Sequence, residues 1–334
     1  MVAIAAAQTT EKMKALVQDG YGSADVLRIR EVEKPVATEG RVVVRVRAAS
    51  LNALDWHSVH GGRVIQLASA VMRQKDEPVR GVDLAGVVES VGPNVTRFKP
   101  GDEVFGGAPA AFAEYARARE AGLALKPRDL SFEEAATVGV AARTALQGLR
   151  DHAQLKPGQR VLINGAGGGV GTFAVQIAKA LGAHVTAVTG TRNVELIRSL
   201  GPDEVIDYTK EDFARRGERY DAIFDVAASR SFSDMRRVLV PGGIIVLAGA
   251  DKRGGLAIFT RIGAAFLRSR LLKQRVVFFV AKATLEDLLV LKGLLEERKI
   301  RPAIDRTYPL SEGAEAIRYL GTGNARAKVV ITMG

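Results

Sequence analysis

The amino-acid sequence predicts an α/β protein in two parts, a β-rich first part and a doubly wound parallel sheet of six strands. Three observations lead to this prediction. From residue 13 to about 125, short alternating or β-branched segments are separated by Gly and Pro turns, as in a compact barrel or sandwich. After about residue 130, short apolar strands alternate with helical spacers. Residues 161–188 run directly from a strand through a glycine turn into a helix and a second strand.

Three segments predict strands in the first part. RVVVRVRAAS (41–50) alternates charged and apolar residues, as a half-buried strand does. DLAGVVESVG (83–92) is rich in apolar residues and ends in a Gly-Pro turn, whereas KPGDEVFG (99–106) is a Pro-Gly-Asp turn that enters a short strand. AKVVITM (327–333) is an isolated strand at the end of the chain.

The second part begins with a helix predicted over residues 131–149, with Ser131 as its N-cap and acidic residues in its first turn. Further helices are predicted over 170–181, 192–200 and 284–298. The six predicted strands are 160–165, 184–188, 204–208, 220–226, 243–249 and 276–280.

Composition excludes several kinds of site and partner. The chain has no Cys, so disulfides and thiolate metal sites are excluded. No apolar run approaches the roughly 20 residues that span a bilayer, and the N-terminus lacks a secretion signal, so a cytoplasmic location is expected. The net charge is +11, yet the Lys and Arg residues are mostly scattered singly and no RNA-binding aromatic motif is present. A nucleic-acid partner is therefore not expected.

One basic segment, residues 251–275, is an exception to this scatter. It interleaves seven Lys or Arg residues with apolar residues at roughly helical spacing. A lid or an oligomer-contact helix is the favoured interpretation, and attachment to an anionic membrane or to an acidic partner is the alternative.

The glycine turn is the most informative stretch of the chain. Gly165, Gly168 and Gly171 are spaced three apart, and Ala166, Gly168 and Gly171 also match a dinucleotide-binding fingerprint with Ala in its first place. In such a turn, Gly168 lets the backbone approach a pyrophosphate and Gly171 lets the helix pack closely on the sheet. Backbone N–H groups at the start of the helix, from Gly169 and Val170 onward, then face the anion.

The end of the second strand of this motif indicates which dinucleotide binds. An NAD site usually has Asp or Glu there, to hold the ribose diol. This chain has Thr189 and Gly190 instead, followed by Arg192 and Asn193, and no carboxylate appears before Glu195. Hydroxyl groups and an Arg suit a 2′-phosphate, so NADPH is the predicted cofactor.

These motifs together resemble the medium-chain dehydrogenase/reductase superfamily, and within it the zinc-independent quinone oxidoreductase-like branch. The matching segments are GVDLAGVVESVG (81–92), FKPGDEVFG (98–106), AATVGVAARTAL (135–146), GAGGGVG (165–171), VIDY (205–208) and VPGGIIVLAG (240–249). The resemblance implies a GroES-like catalytic domain over residues 1–127, completed by 285–334, and a Rossmann NADP-binding domain over 128–284. Dimers are common in the family, which makes a homodimer one expected state.

Two departures from the superfamily's zinc enzymes bear on the chemistry. Those enzymes carry Gly-His-Glu where this chain has Gly81, Val82 and Asp83, and a zinc-binding Cys in the stretch that matches SLNALDW (50–56). Val82 cannot bind a metal, and His57 and His60 have no third ligand near them in sequence, so no metal site is expected. Without a Lewis acid, hydride transfer to a quinone or to the β-carbon of an enone is favoured over alcohol oxidation.

The resemblance also implies roles for individual residues. Asn52 would contact the nicotinamide end of the cofactor, with a turn cap as the alternative, and Asp55 would orient the loop or serve a purely structural role. His57 would lie near the substrate, where it competes with water as the proton donor. The remaining cofactor contacts implied are Thr144 beside the nicotinamide, Tyr208 near the 2′-phosphate or merely packed at a strand end, and backbone groups around Ala250 and Phe279 in the nicotinamide pocket.

The leading functional hypothesis is an NADPH-dependent, zinc-free reductase of quinones or activated alkenes with a small-molecule substrate. An enoyl-thioester reductase is a second enzyme hypothesis. A non-catalytic NADPH-binding member of the family is the third, because a glycine turn alone does not distinguish binding from turnover.

Overall fold

Two sheets organise the chain in the computed structural model, which describes residues 11–61, 78–248 and 274–334. The first sheet has seven strands in the order β14-β15-β3-β4-β5-β7, with β6 paired to β3. Its strands are β3 (Arg41–Ser50), β4 (Asp83–Val91), β5 (Glu103–Gly107), β6 (Tyr115–Arg119), β7 (Leu123–Leu125), β14 (Ile304–Pro309) and β15 (Lys328–Thr332). A separate antiparallel pair is formed by β1 (Lys12–Gln18) and β2 (Leu27–Glu33). The chain's last two strands thus pair into a sheet whose other strands come from its first 125 residues.

The second sheet has six parallel strands in the order β10-β9-β8-β11-β12-β13. These strands are β8 (Arg160–Asn164), β9 (His184–Thr189), β10 (Glu204–Asp207), β11 (Tyr220–Asp225), β12 (Leu239–Leu247) and β13 (Arg275–Phe278). The order reverses beside β8, which is where a doubly wound sheet binds its ligand. The prediction of a GroES-like part joined to a six-stranded Rossmann sheet is confirmed.

The described residues contain eight α-helices. They are α1 (Ala53–His60), α2 (Phe132–Ala136), α3 (Gly139–Gln147), α4 (Gly169–Ala180), α5 (Val194–Ser199), α6 (Phe232–Arg237), α7 (Leu285–Glu296) and α8 (Gly313–Gly321). The helix predicted over 192–200 is shorter than expected, because residues 191–193 form a 3₁₀ turn instead. Within the described ranges, no helix has the length and apolar character needed to cross a membrane.

The prediction of one continuous helix over residues 131–149 is wrong. Ser131 does cap the first helix, since its hydroxyl accepts from the Glu134 N–H at 3.1 Å, but the helix ends at Ala136 and a second one starts at Gly139. The first sheet supplies partners for the backbone groups at the break. Ser50 Oγ donates to the Ala136 carbonyl at 2.9 Å, and the Val140 N–H donates to Asp83 Oδ1 at 2.9 Å. Buried polar side chains therefore replace the helical hydrogen bonds that the break removes.

The largest hydrophobic core joins the two parts of the chain. It includes Ala48, Ala85 and Phe105 from the first sheet, and Val161, Ile163 and Phe173 from the parallel sheet and α4. A second core fills the first sheet, and a third covers the opposite face of the parallel sheet. Because one core spans both parts, the residues at the junction have a fixed arrangement in which a site can form.

Candidate active site

The glycine turn joins β8 to α4 in the geometry that its sequence predicts. Gly165 has a φ of 93°, a conformation that favours glycine. An added Cβ at Gly171 would overlap with the Gly165 carbonyl oxygen, so α4 packs on the turn at a distance that only glycine permits. Around Gly168, by contrast, the nearest atom to an added Cβ is 3.7 Å away. The backbone at Gly168 is therefore accessible. Gly168 directly precedes α4, and the N–H groups of the first helical residues, Gly169 and Val170, have no partner within the helix.

A buried acceptor without a partner lies beside this turn. Asn193 and Thr189 cover Gly167, because an added Cβ there would overlap with Asn193 Nδ2 and lie 2.6 Å from Thr189 Oγ1. Asn193 Oδ1 is buried and has no hydrogen-bond partner among the described residues. Leaving such an atom unsatisfied costs about 1–3 kcal/mol. Asn193 and Thr189 thus place polar groups directly against the turn, which fits the dinucleotide that the turn predicts.

Two arginines from different parts of the chain meet beyond the end of β9. Arg192 Nη2 donates to Asn324 Oδ1 at 2.8 Å, and Arg326 lies close enough for its Nη1 to reach the Arg192 carbonyl at 3.5 Å. Tyr208 is 57% exposed, and its hydroxyl is 3.1 Å from an added Cβ at Gly190, so its ring lies over that residue. The exposed surface around Gly190 is therefore lined by two guanidinium groups and a phenol.

The carboxylate at the end of the neighbouring strand is already hydrogen-bonded. Asp207 ends β10 beside Thr189 and accepts hydrogen bonds from Thr191 Oγ1 at 2.7 Å and from the Thr209 hydroxyl at 2.7 Å. Although its partial burial acts in the opposite direction, these hydrogen bonds lower the pKa of the Asp207 carboxyl. Asp207 thus holds the loops that carry Thr191 and Thr209 together.

A network of three polar side chains, with Asp83 and Lys328 buried and Asn52 half-buried, lies against the glycine turn. Asn52 Nδ2 donates to Asp83 Oδ2 at 2.9 Å, and the Lys328 ammonium donates to Asn52 Oδ1 at 2.7 Å and to the Leu51 carbonyl at 2.8 Å. Lys328 Nζ also lies 3.8 Å from Asp83 Oδ2. The three residues come from the end of β3, the start of β4 and the start of β15, which meet at one edge of the first sheet.

Asp55 supports this network from the first turn of α1. Its Oδ2 accepts from the Asn52 backbone N–H at 2.7 Å, which is the carboxylate half of a capping box. Burial raises the pKa of the Asp55 carboxyl to about 7, and the negative charge of Asp83 adds to the effect. The Asn52 N–H bond and the charges of Lys328 and Arg80 oppose it. Asp55 therefore orients the chain at Asn52, with no hydrogen bond to the Asn52 amide side chain.

Helix α3 closes the site from the other side. An added Cβ at Gly139 would overlap with Asp83 Oδ1, so the start of α3 sits directly on this carboxylate. Thr144, one turn further along, uses its hydroxyl to donate to the Val140 carbonyl at 2.8 Å. Arg143 is only 3% exposed, and its Nε and Nη2 have no hydrogen-bond partner within the described part of the chain. Burial lowers the pKa of the Arg143 guanidinium, opposed by the charges of Asp83 and Asp287.

Other residues singled out from the sequence lie further from the network. His57 is half-buried on α1 with its ring edge-on to Trp56. Trp56 packs α1 against α8, since an added Cβ at Gly321 would overlap with its indole nitrogen. Phe279 follows the end of β13 and packs on His152, with ring centroids 4.3 Å apart. Ala250 and most of the basic segment 251–275 lie outside the described residues.

Comparison with known proteins identifies the family. Profiles of the alcohol dehydrogenase GroES-like domain and of zinc-binding dehydrogenases match residues 38–128 and 200–331. The chain is 35% identical to the 2-methylene-furan-3-one reductase of Solanum lycopersicum, over 96% of this chain and 79% of that protein. It is 32% identical to the NADPH-dependent alkenal/one oxidoreductase of Arabidopsis thaliana, over 97% and 81%. The solved quinone oxidoreductase of Coxiella burnetii superposes with a TM-score of 0.84 at 30% identity, covering 96% of this chain and 99% of that one.

The chain belongs to the medium-chain dehydrogenase/reductase superfamily, in its quinone oxidoreductase-like branch. Members of this family are oxidoreductases that use a nicotinamide cofactor.

The residues at the superfamily's zinc position do not fit a zinc ion. The Lys328 ammonium lies 2.7 Å from Asn52 Oδ1, at the residue that stands in the zinc-binding stretch, and Val82 is an exposed apolar side chain. A buried ammonium in contact with this residue would repel a divalent cation bound beside it. In the described ranges there is also no cluster of three or more His, Cys, Asp or Glu residues suited to a metal.

Sequence reasoning missed several residues that the fold brings to the site. Asp83 was noted only as a departure from a zinc motif, and Arg143 and Arg326 were not singled out. Lys328 did carry a signal, because a charged residue beside the apolar run VVITM is unusual in a buried strand. Its partner Asn52 is 276 residues away, so only the pairing of β15 with β3 reveals the contact.

Proposed function

We propose that the chain is an NADPH-dependent, zinc-free reductase that transfers a hydride to a quinone or to the alkene of an α,β-unsaturated carbonyl compound. The network of Asn52, Asp83 and Lys328 carries this proposal. It offers fixed hydrogen-bonding groups next to the glycine turn, and an ammonium stands where zinc enzymes of the superfamily need ligands. The Solanum lycopersicum relative is named a 2-methylene-furan-3-one reductase, and the Arabidopsis thaliana relative is named an NADPH-dependent alkenal/one oxidoreductase. Both names support the same substrate class.

The residues of the chain would share the work of positioning. NADPH, when bound, supplies the hydride. The N-terminus of α4 would hold its pyrophosphate, Asn193 and Thr189 the adjoining ribose, and Asn52 and Thr144 its nicotinamide end. The substrate's carbonyl or quinone oxygen gains negative charge as the hydride arrives, and an N–H donor nearby stabilises that charge. His57 or water would then deliver the proton.

The surface around Gly190 supports NADPH over NADH. Arg192 and Arg326 offer guanidinium groups suited to a 2′-phosphate, whose charge-assisted hydrogen bonds are about twice as strong as neutral ones. An NAD site would need a free carboxylate here, and Asp207 is held by Thr191 and Thr209.

A substrate screen tests the proposal. Purified protein is mixed with NADPH or NADH and with a benzoquinone, a simple enone or a crotonyl thioester, and loss of absorbance near 340 nm is followed. We expect turnover of the quinone or the enone, at least about tenfold faster with NADPH. The matched control is the Asn52→Ala variant, which should still bind NADPH but turn over slowly.

The other outcomes separate the alternatives. Turnover of the thioester alone would favour an enoyl-thioester reductase. NADPH binding by fluorescence with no turnover of any substrate would favour a non-catalytic family member and would overturn the proposal.

A further inference from the structure

Lys328 is a buried, positively charged residue between the glycine turn and Asn52. Lys328 is 2% exposed and occupies the first position of β15. Its ammonium donates to the Leu51 carbonyl and to Asn52 Oδ1 and lies 3.8 Å from Asp83 Oδ2. Burying an ammonium is costly unless it is paired and hydrogen-bonded. A structural role alone would be served by an apolar residue in this strand, so the interactions made by the ammonium require an explanation.

The partners of Asn52 fix the orientation of its amide. An ammonium can only donate and an ionised carboxylate can only accept. Oδ1 must therefore face Lys328 and Nδ2 must face Asp83, as the distances of 2.7 and 2.9 Å show. With one N–H of Nδ2 bound to Asp83, the second N–H has no acceptor among the described residues and can serve a ligand. Asn52 consequently offers a donor, which is what an oxygen gaining negative charge requires.

The position of Lys328 is in turn set by the glycine turn. The Ala327 N–H donates to the Gly167 carbonyl at 2.8 Å, which ties the start of β15 to the turn. An added Cβ at Gly169 would lie 2.8 Å from Lys328 Cδ, so the lysine stem rests on the first residue of α4. Lys328 therefore spans from the predicted pyrophosphate-binding turn to the amide of Asn52.

We propose that Lys328 is a positioning residue, which holds the Asn52 amide so that its free N–H faces the carbonyl or quinone oxygen of the substrate or the nicotinamide end of the cofactor. This inference rests on the proposed reductase function for its ligand, but the orientation of the amide belongs to the protein alone. Lys328 acts through Asn52 and is not itself placed in contact with the reacting atoms.

The orientation is tested by NMR on the protein without substrate. The chain has five Asn residues, so selective ¹⁵N-Asn labelling gives five side-chain amide pairs, and the Asn52→Ala variant identifies the pair of Asn52 by its loss. In Lys328→Met we expect this pair to shift and its exchange with water to accelerate at least tenfold. The pair of Asn164, held by Asp225 at 2.8 Å, should not change and is the internal control. An unaltered Asn52 pair would overturn the inference.

A double-mutant cycle tests the consequence for turnover. We expect Lys328→Met to lower kcat about 10- to 100-fold while the Kd for NADPH changes less than about threefold. Adding Asn52→Ala should cause no further loss of kcat, because both substitutions disable the same donor, the Asn52 amide. Multiplied losses in the double variant would show that Lys328 acts independently and would overturn the inference. Lys299→Met, which removes an exposed lysine paired with Glu297, is the matched control and should be unchanged.

A second variant guards against misfolding of Lys328→Met. In Gly169→Ala the added methyl group displaces the lysine stem but keeps the ammonium in the protein, and the Asn52 amide pair should move in the same direction. Failure of the proposed function has a different signature, since wild-type protein would then consume no NADPH while the NMR result would stand.

Discussion

At the scale of single residues, Asp55 shows how burial creates a group with unusual titration. The carboxyl is buried, and its pKa of about 7 compares with 3.8 for an exposed Asp. The folded state therefore binds more protons than the unfolded state between about pH 4 and 7, so this residue's contribution to stability falls as pH rises through that interval. Above pH 7 the full cost applies, roughly 4 kcal/mol as an upper figure from the shift.

Asp55→Asn should remove this pH-dependent cost. The Asn side chain has the same shape and retains an oxygen that accepts the Asn52 N–H bond, but it cannot ionise. We expect the variant to be more stable than the wild type at pH 8, with the difference shrinking towards pH 4. Thermal unfolding of both proteins across this range measures the effect. A difference in melting temperature that stays constant with pH would contradict the assignment.

At the scale of elements, the break between α2 and α3 depends on side chains from another sheet. Ser50 donates a hydrogen bond to the Ala136 carbonyl, and Asp83 accepts one from the Val140 N–H. These two side chains therefore satisfy the backbone groups at the point where the helix is interrupted. The break falls at Thr137 and Val138, directly before Gly139, where two β-branched residues and a glycine weaken the helix, although no proline lies between 131 and 149. Low local helix propensity and these tertiary partners therefore act together at the break.

Ser50→Ala should destabilise the protein by about 1–3 kcal/mol, because the buried Ala136 carbonyl loses its donor. Urea unfolding measures this change. Ser58→Ala is a matched control, since its hydroxyl also donates to a carbonyl, that of Leu54 at 2.8 Å, but in an exposed bond. Equal losses in the two variants would show that burial at the break is unimportant.

The same contrast explains how much could be predicted from the sequence. The six parallel strands and the glycine turn were predictable, because apolar periodicity and the needs of a tight turn are local. The Asn52–Lys328 contact was not, because it joins residues from the two ends of the chain. Helix α1 was likewise not predicted, since the residues of the stretch NALDWH (52–57) are equally compatible with a turn, a core and a functional site. Local sequence patterns therefore predict the strands and helices, whereas the site depends on contacts between residues far apart in the sequence.

At the scale of the whole molecule, the predicted 2′-phosphate site is formed by two distant parts of the chain. Arg192 follows β9 of the parallel sheet, whereas Asn324 and Arg326 precede β15, which belongs to the first sheet. The C-terminal segment therefore contacts Arg192, through Asn324 and Arg326, and also Asn52, through Lys328. Cofactor preference should accordingly depend on residues that lie 134 positions apart in the sequence.

Arg192→Ala tests this expectation. The variant loses a guanidinium that would contact the 2′-phosphate, and a hydrogen bond to a charged group contributes about 1.5–3 kcal/mol, or roughly 10- to 150-fold in affinity. We expect the Kd for NADPH to rise by that factor while the Kd for NADH changes less than about threefold, because NADH carries no phosphate there. Fluorescence titration with both cofactors measures the two constants. Arg198→Ala is the control, since it removes an exposed arginine of α5 paired with Glu195 and should affect neither. Equal weakening of both cofactors by Arg192→Ala would place this arginine outside the phosphate site.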